Sequence, residues 1–100
     1  MPTQVSFGTL AYNRGASINA IDPKSATSET FTASGTNQTT AAAASAAQSV
    51  CRVATDVAVY VEIGTAPDAT NDAGGRLMVM AGATEYFAVQ QFDKVALVTA

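Results

Sequence analysis

The chain is short, weakly charged and rich in small residues. Its 100 residues provide for one domain core, and only 13% of them are charged, whereas about a quarter is ordinary. The net charge is −3, and the five basic residues are scattered singly, which argues against binding to nucleic acid or to an anionic membrane surface. With 21 Ala and 20 Ser plus Thr, such a composition fits either a subunit covered by neighbours in an assembly or an Ala-rich soluble domain.

Residues 1–24 alternate weakly between apolar and polar side chains and then reach Asp22 and Pro23, which interrupt regular structure. Period-two alternation over so few residues does not define a separate core. We therefore predict an extended N-terminal arm over residues 1–24, ordered where a partner covers it, followed by a single β domain over residues 25–100.

Two short strands are predicted early in this domain, at residues 29–34 and 39–44, joined by a turn that contains Gly35. Residues 40–48 contain six alanines and are also compatible with one or two helical turns, because Ala has the highest helix propensity. We favour an extended segment, since about ten such residues are marginal as an isolated helix.

The clearest strand signal lies at residues 57–63, where the β-branched Val57, Val59, Val61 and Ile63 share one face. Gly64 ends this strand, and residues 65–75 form a loop rich in turn-forming residues. The loop is long enough to be exposed and used for contact.

Three more strands follow, at residues 76–81, 85–90 and 94–99. The first has apolar side chains on both sides, so both of its faces are expected to be covered, and the short turn after it predicts a hairpin with the second. The sequence thus predicts an all-β fold, a small antiparallel β-sandwich or barrel with an extended N-terminal arm.

Catalytic residue types are scarce. The chain has no histidine, which excludes Ser-His-Asp and Cys-His hydrolases, and its single Cys51 excludes an intramolecular disulfide. Asp68 and Asp72, with Asn71 between them, are candidates for an acid/base pair or a calcium loop, but they are better explained as turn residues. We expect neither enzymatic activity nor a cofactor or metal. We also expect a soluble product made in a cytoplasm, because no signal peptide or apolar stretch of about 20 residues is evident.

The second half of the chain resembles small β proteins of tailed-phage virions. The resemblance covers residues 49–100 and rests on an order of short motifs rather than on a catalytic signature: Arg52-Val53, Gly64-Thr65-Ala66-Pro67, Leu77 with Ala81-Gly82, Glu85-Tyr86-Phe87 and Asp93-Lys94-Val95-Ala96.

The resemblance implies a capsid cement, or decoration, protein on the capsid surface of the virion. Such proteins are of similar size, are often trimers, and hold the major capsid protein through an extended N-terminal arm. The residues expected to contact partners are Val5, Phe7, Leu10 and Tyr12 in the arm and Pro67, Asp68, Asn71 and Asp72 in the loop. The alternatives are a neck, head-completion or tail-associated virion protein, and a receptor- or carbohydrate-binding β module.

Overall fold

The computed structural model describes residues 2–13, 16–21, 25–70 and 75–100. Within these ranges every regular element is a β-strand, which confirms the all-β prediction. The strands are β1 (Pro2–Gly8), β2 (Leu10–Asn13), β3 (Ala16–Ile21), β4 (Thr27–Thr32), β5 (Gln38–Thr39), β6 (Val50–Thr55), β7 (Val59–Gly64), β8 (Leu77–Val79), β9 (Thr84–Ala88) and β10 (Lys94–Thr99).

Two four-stranded antiparallel sheets form a β-sandwich. Sheet one has the order β4-β1-β6-β9, and sheet two has the order β5-β10-β7-β8. Alternate side chains of the central strands point between the sheets, as the period-two pattern predicted, and Val53 of sheet one and Leu97 of sheet two are both fully buried in the same cluster. Cys51 also lies in this core, and its burial raises the pKa of the thiol to about 12.

The N-terminal residues belong to this body, which corrects the predicted arm. Strand β1 lies inside sheet one, with Val5 opposite Glu29 of β4 on one side and Val53 of β6 on the other. Val5 and Phe7 are 1% and 2% exposed. The sequence alternation in this segment therefore reflects an interior strand whose partners lie 20 or more residues away in the chain.

Strands β2 and β3 pair with each other and, within the described residues, with no third strand. The last pair between β1 and β4 places Phe7 opposite Thr27. The first pair between β2 and β3 places Leu10 opposite Ile21, and the register shifts before Tyr12. The two strands thus prolong the β1–β4 pair beyond sheet one. We call residues 10–21 the ribbon.

The predicted hairpin between residues 76–81 and 85–90 is wrong. Strand β8 pairs with β7 in sheet two, whereas β9 pairs with β6 in sheet one. The connection between them crosses from one sheet to the other and is held where Gly82, at φ 77°, donates its backbone N–H to the Thr55 carbonyl at 2.9 Å. A short connection of small residues around a glycine does not distinguish a hairpin from a crossover between sheets.

The expectation that both faces of residues 76–81 are covered is also wrong. Leu77, Met78 and Met80 are 55%, 46% and 61% exposed, and Val79 alone of the strand is buried. The reason is position: β8 is a three-residue strand at the edge of sheet two, so it has a neighbour on one side only.

Residues 40–48 contain no helix, in agreement with the extended segment that the sequence favoured. The strand predicted at residues 39–44 shortens to β5, which ends at Thr39. Beyond β5 the backbone remains hydrogen-bonded to β10 and to the turn that precedes β10. Thr40 donates its N–H to the Val95 carbonyl at 2.9 Å, and Ala44 donates its N–H to the Asp93 carbonyl at 2.8 Å.

Removing residues 1–24 is predicted to prevent folding, whereas removing the ribbon alone is not. The first deletion takes away an interior strand with two buried apolar side chains, Val5 and Phe7, whose burial is worth about 3–6 kcal/mol together against a total stability of about 5–15 kcal/mol. The second replaces residues 10–24 by Asn-Gly, so that Thr9 and Ser25, already joined by a 3.0 Å hydrogen bond, flank a two-residue hairpin turn.

Circular dichroism and urea unfolding distinguish the two variants. The ribbon-deleted protein should keep a β spectrum and a cooperative transition, and the protein lacking residues 1–24 should show neither. A cooperative transition after deletion of residues 1–24 would contradict the placement of β1.

Candidate interaction surface

Gln48 fixes the base of the ribbon. This side chain is 7% exposed, and its amide nitrogen lies 3.4 Å from the Phe7 carbonyl, 3.0 Å from the Ser25 carbonyl and 3.0 Å from Thr27 Oγ1. Its amide oxygen accepts the backbone N–H of Ser45 at 2.9 Å. One buried amide therefore joins the end of β1, the start of β4 and the loop before β6, so the direction in which the ribbon leaves the body is set by buried hydrogen bonds.

The loop at residues 40–49 lies beside this base and has a surface of small side chains. The Thr9 hydroxyl donates to the Ala47 carbonyl at 2.6 Å, and the two carboxylate oxygens of Glu29 accept the N–H groups of Ala41 and Ala42 at 2.9 and 3.1 Å. The exposed members of the loop are Ala41, Ala42, Ser45, Ala46, Ala47 and Ser49. A neighbouring backbone can approach such a surface closely, and little side-chain entropy is lost on contact.

The turn between β9 and β10 adjoins the same loop and presents an aromatic side chain. Phe92 is 65% exposed and has a φ of 76°, in the left-handed region that costs a residue with a side chain roughly 1–2 kcal/mol. The turn is held in place because Phe92 donates its N–H to the Ala44 carbonyl at 2.9 Å, and the Asp93 carboxylate accepts the N–H of Gln90 at 2.9 Å.

These three features form one end of the molecule. Ala47 contacts the ribbon base, and Ala44 contacts the 90–93 turn, so the loop at residues 40–49 connects the two. We call the surface made by the ribbon, this loop and the turn the ribbon end.

A second surface lies along the side of the sandwich where the edge strands β8 and β9 lie. Both strands are at sheet edges, and among residues 3–9, 25–70 and 75–100 four of the five exposed large apolar side chains lie on or directly beside them. They are Leu77, Met78 and Met80 at β8, where Met78 is opposite Tyr60, and Tyr86 on β9, which is opposite Arg52 and so lies on the outer face of sheet one. Edge strands with exposed apolar side chains are templates for pairing with another chain. We call this surface the β8–β9 side.

The loop predicted to make contacts instead covers the outer face of sheet two. Ala69 is fully buried against Ala96, Val98 and Tyr60, and its N–H donates to the Asn37 amide oxygen at 2.8 Å. The burial of four consecutive residues of β10 follows from this cover, because one face of the strand meets the core and the other meets the loop.

Arg76 closes the loop. Its guanidinium carbon lies 3.7 Å from the centroid of the Tyr60 ring, and one of its N–H groups donates to the Ala69 carbonyl at 3.2 Å. The Arg76 guanidinium is therefore engaged by the Tyr60 ring and the Ala69 carbonyl, which leaves less positive charge available to an anionic partner.

The structure corrects part of the predicted contact set. Val5 and Phe7 are core residues, as shown above, and so do not reach a partner. Leu10 and Tyr12 lie in β2, which is part of the ribbon.

In the loop, Pro67 is buried and Asp68 is exposed, whereas Asn71 and Asp72 lie outside the described residues. The Asp68 carboxylate accepts the hydroxyl and the N–H of Thr70 at 2.6 and 3.0 Å, which lowers the pKa of Asp68. The exposed apolar residues that the sequence analysis did not name as contact candidates are Phe92 and those of the β8–β9 side.

No catalytic constellation emerges from the described part of the chain. An open depression at the opposite end from the ribbon has one titratable residue in its lining, Asp56. Among residues 2–13, 16–21, 25–70 and 75–100, no group of three or more Asp, Glu or Cys side chains is placed to hold a metal ion. The same residues contain no helix long and apolar enough to cross a membrane.

Comparison with known protein families, with curated proteins and with solved structures finds no match for this chain.

Replacing Gln48 by Ala is predicted to lower the free energy of unfolding by about 1–3 kcal/mol, because buried carbonyls of residues 7 and 25 lose their donor. Gln91, which is exposed in the 90–93 turn, is the matched control, and Gln91→Ala should stay within about 0.5 kcal/mol of the wild type. Urea unfolding measures both. Equal effects of the two substitutions would show that Gln48 does not organise the ribbon base.

Proposed function

We propose that the protein is a capsid cement protein of a tailed phage, which binds the major capsid protein through its ribbon end and stabilises the head. The observation that carries this proposal is the ribbon, a two-stranded extension with no third strand beside it in the described structure. A two-stranded hairpin is marginally stable in water by itself. An assembly that covers the ribbon would provide the packing contacts that the body of this protein does not.

The base of the ribbon supports docking in a defined direction. The hydrogen bonds of Gln48 and Thr9 set how the ribbon leaves the body, so less conformational freedom is lost on binding than for a fully flexible arm. The free edges of the ribbon can add to a strand of the capsid protein by main-chain hydrogen bonds.

The composition of the chain supports the same proposal. Only 13 of the 100 residues of the chain are charged, and the exposed residues of the loop at residues 40–49 are Ala and Ser. Contact with another protein therefore desolvates few charges, and the resemblance of residues 49–100 to tailed-phage virion proteins points to a capsid as that partner.

Binding stabilises the particle by mass action. A protein that binds the assembled shell and not its separated subunits stabilises the shell by about 2.7 kcal/mol per occupied site when its free concentration is 100 times its Kd. No chemical step is required of the bound protein.

We predict that purified protein binds to capsids of the encoding phage that were assembled without it, and that the ribbon-deleted variant does not. Gel densitometry of sedimented particles measures occupancy, and thermal release of the packaged DNA measures particle stability. Occupancy should approach the number of capsid subunits, and bound protein should raise the temperature of DNA release.

The control is Thr30→Lys, which adds a charge to the exposed edge of β4 away from the ribbon end and should leave occupancy unchanged. Absence of wild-type binding would reject the proposal. A copy number of a few to dozens in native virions would favour a neck or tail location instead.

We also propose that copies of the protein associate through the β8–β9 side, as in a trimer. The ribbon end is taken by the capsid in this proposal, and the β8–β9 side carries the remaining exposed large apolar side chains among residues 3–9, 25–70 and 75–100. Neighbouring copies on a capsid are the partners that meet a lateral surface.

Met78→Lys combined with Met80→Lys, two exposed side chains on the same face of the chain at β8, should convert an oligomer to a monomer, because two charges would be buried between copies without partners. Light scattering after size-exclusion chromatography measures the mass, and Thr30→Lys is again the control. A monomeric wild-type protein, or a double variant that keeps the wild-type mass, would contradict this interface.

A further inference from the structure

We infer that Phe92 is an anchor residue that inserts into an apolar pocket of the capsid protein next to the site where the ribbon binds. The inference rests on the proposed function and adds a specific contact to it. It starts from two properties of Phe92 that fold stability does not explain.

The first property is the backbone conformation. Phe92 and Gly82 are the described residues with a positive φ, at 76° and 77°. Glycine has no side chain to clash in this region and asparagine tolerates it, whereas an aromatic residue there is strained. A turn selected for stability alone would carry Gly or Asn at position 92.

The second property is exposure. Phe92 is 65% exposed, the highest value among the large apolar residues of 3–9, 25–70 and 75–100. Strained residues cluster at functional sites, where the strained geometry serves binding or catalysis. Packing in the core does not explain Phe92, because most of its side chain faces solvent.

The turn is nevertheless rigidly placed. Phe92 and Asp93 are tied to Ala44 by two backbone hydrogen bonds of 2.9 and 2.8 Å, and the Asp93 N–H donates to the Gln90 carbonyl at 3.1 Å. An aromatic side chain on a fixed turn loses little entropy when it is buried by a partner, and aromatic residues often dominate binding energy.

The position of the turn identifies the partner. Ala44, which holds the turn, and Ala47, which bonds to Thr9 at the ribbon base, belong to the same short loop. A protein that covers the ribbon base therefore lies next to Phe92. The capsid subunit that takes the ribbon is accordingly the one that provides the apolar pocket.

The test separates binding from folding with the variants Phe92→Gly, Phe92→Asn and Phe92→Tyr. Gly and Asn remove the aromatic ring and fit the backbone, so their melting temperatures should be no lower than that of the wild type, while their apparent Kd for capsids lacking the protein should rise roughly tenfold or more. Tyr keeps the ring and should bind like the wild type. Thr30→Lys, which lies away from the ribbon end, is the control and should bind normally.

Each outcome bears on the inference. Wild-type binding together with unchanged binding of Phe92→Gly would overturn the anchor and leave the cement function standing. A lower melting temperature of Phe92→Gly and Phe92→Asn would show that the residue serves the fold. Failure of the wild type to bind capsids would overturn both the function and the anchor.

Discussion

The position of β1 between β4 and β6 is the constraint on which the rest of the structure depends. This strand brings Val5 and Phe7 into the core and aligns β4 with the remainder of sheet one. Because β2 and β3 follow β1 and precede β4 in the chain, the same pairing places the ribbon at one end of the sandwich. The ribbon is thus joined to the most buried part of the protein by the chain itself and by hydrogen bonds of the Ser25 and Gln48 side chains.

Among residues 3–9, 25–70 and 75–100 the exposed large apolar side chains lie in two places, and this follows from how the sheets are covered. The 65–70 loop, with Arg76 stacked on Tyr60, covers the outer face of sheet two. The outer face of sheet one carries mostly polar side chains that need no cover, such as Ser28, Thr30 and the hydrogen-bonded pair of Gln4 and Arg52. Exposed apolar side chains therefore concentrate on the β8–β9 side and at Phe92, which are at different positions on the body and suit different partners.

Local patterns in the sequence predicted much of the fold and little of the interaction surface. The alternation around Val59 and Val95 identified β7 and β10, because half-buried strands leave a period-two signal. The weak alternation at Val5 did not reveal an interior strand, since its partners at Glu29 and Val53 are distant in the chain. The sequence contains no local signal for the left-handed backbone of Phe92, which depends on bonds to Ala44, or for the exposure of Met78, which depends on an edge position.

An electron cryo-microscopy map of capsids decorated with the protein tests the central claim most directly, because it records which end of the sandwich faces the shell. The account predicts that residues 10–21 and the 90–93 turn lie against the capsid protein, with the depression beside Asp56 facing outward. A map in which the end around Asp56 and Gly82 meets the shell, and the ribbon points into solvent, would contradict it.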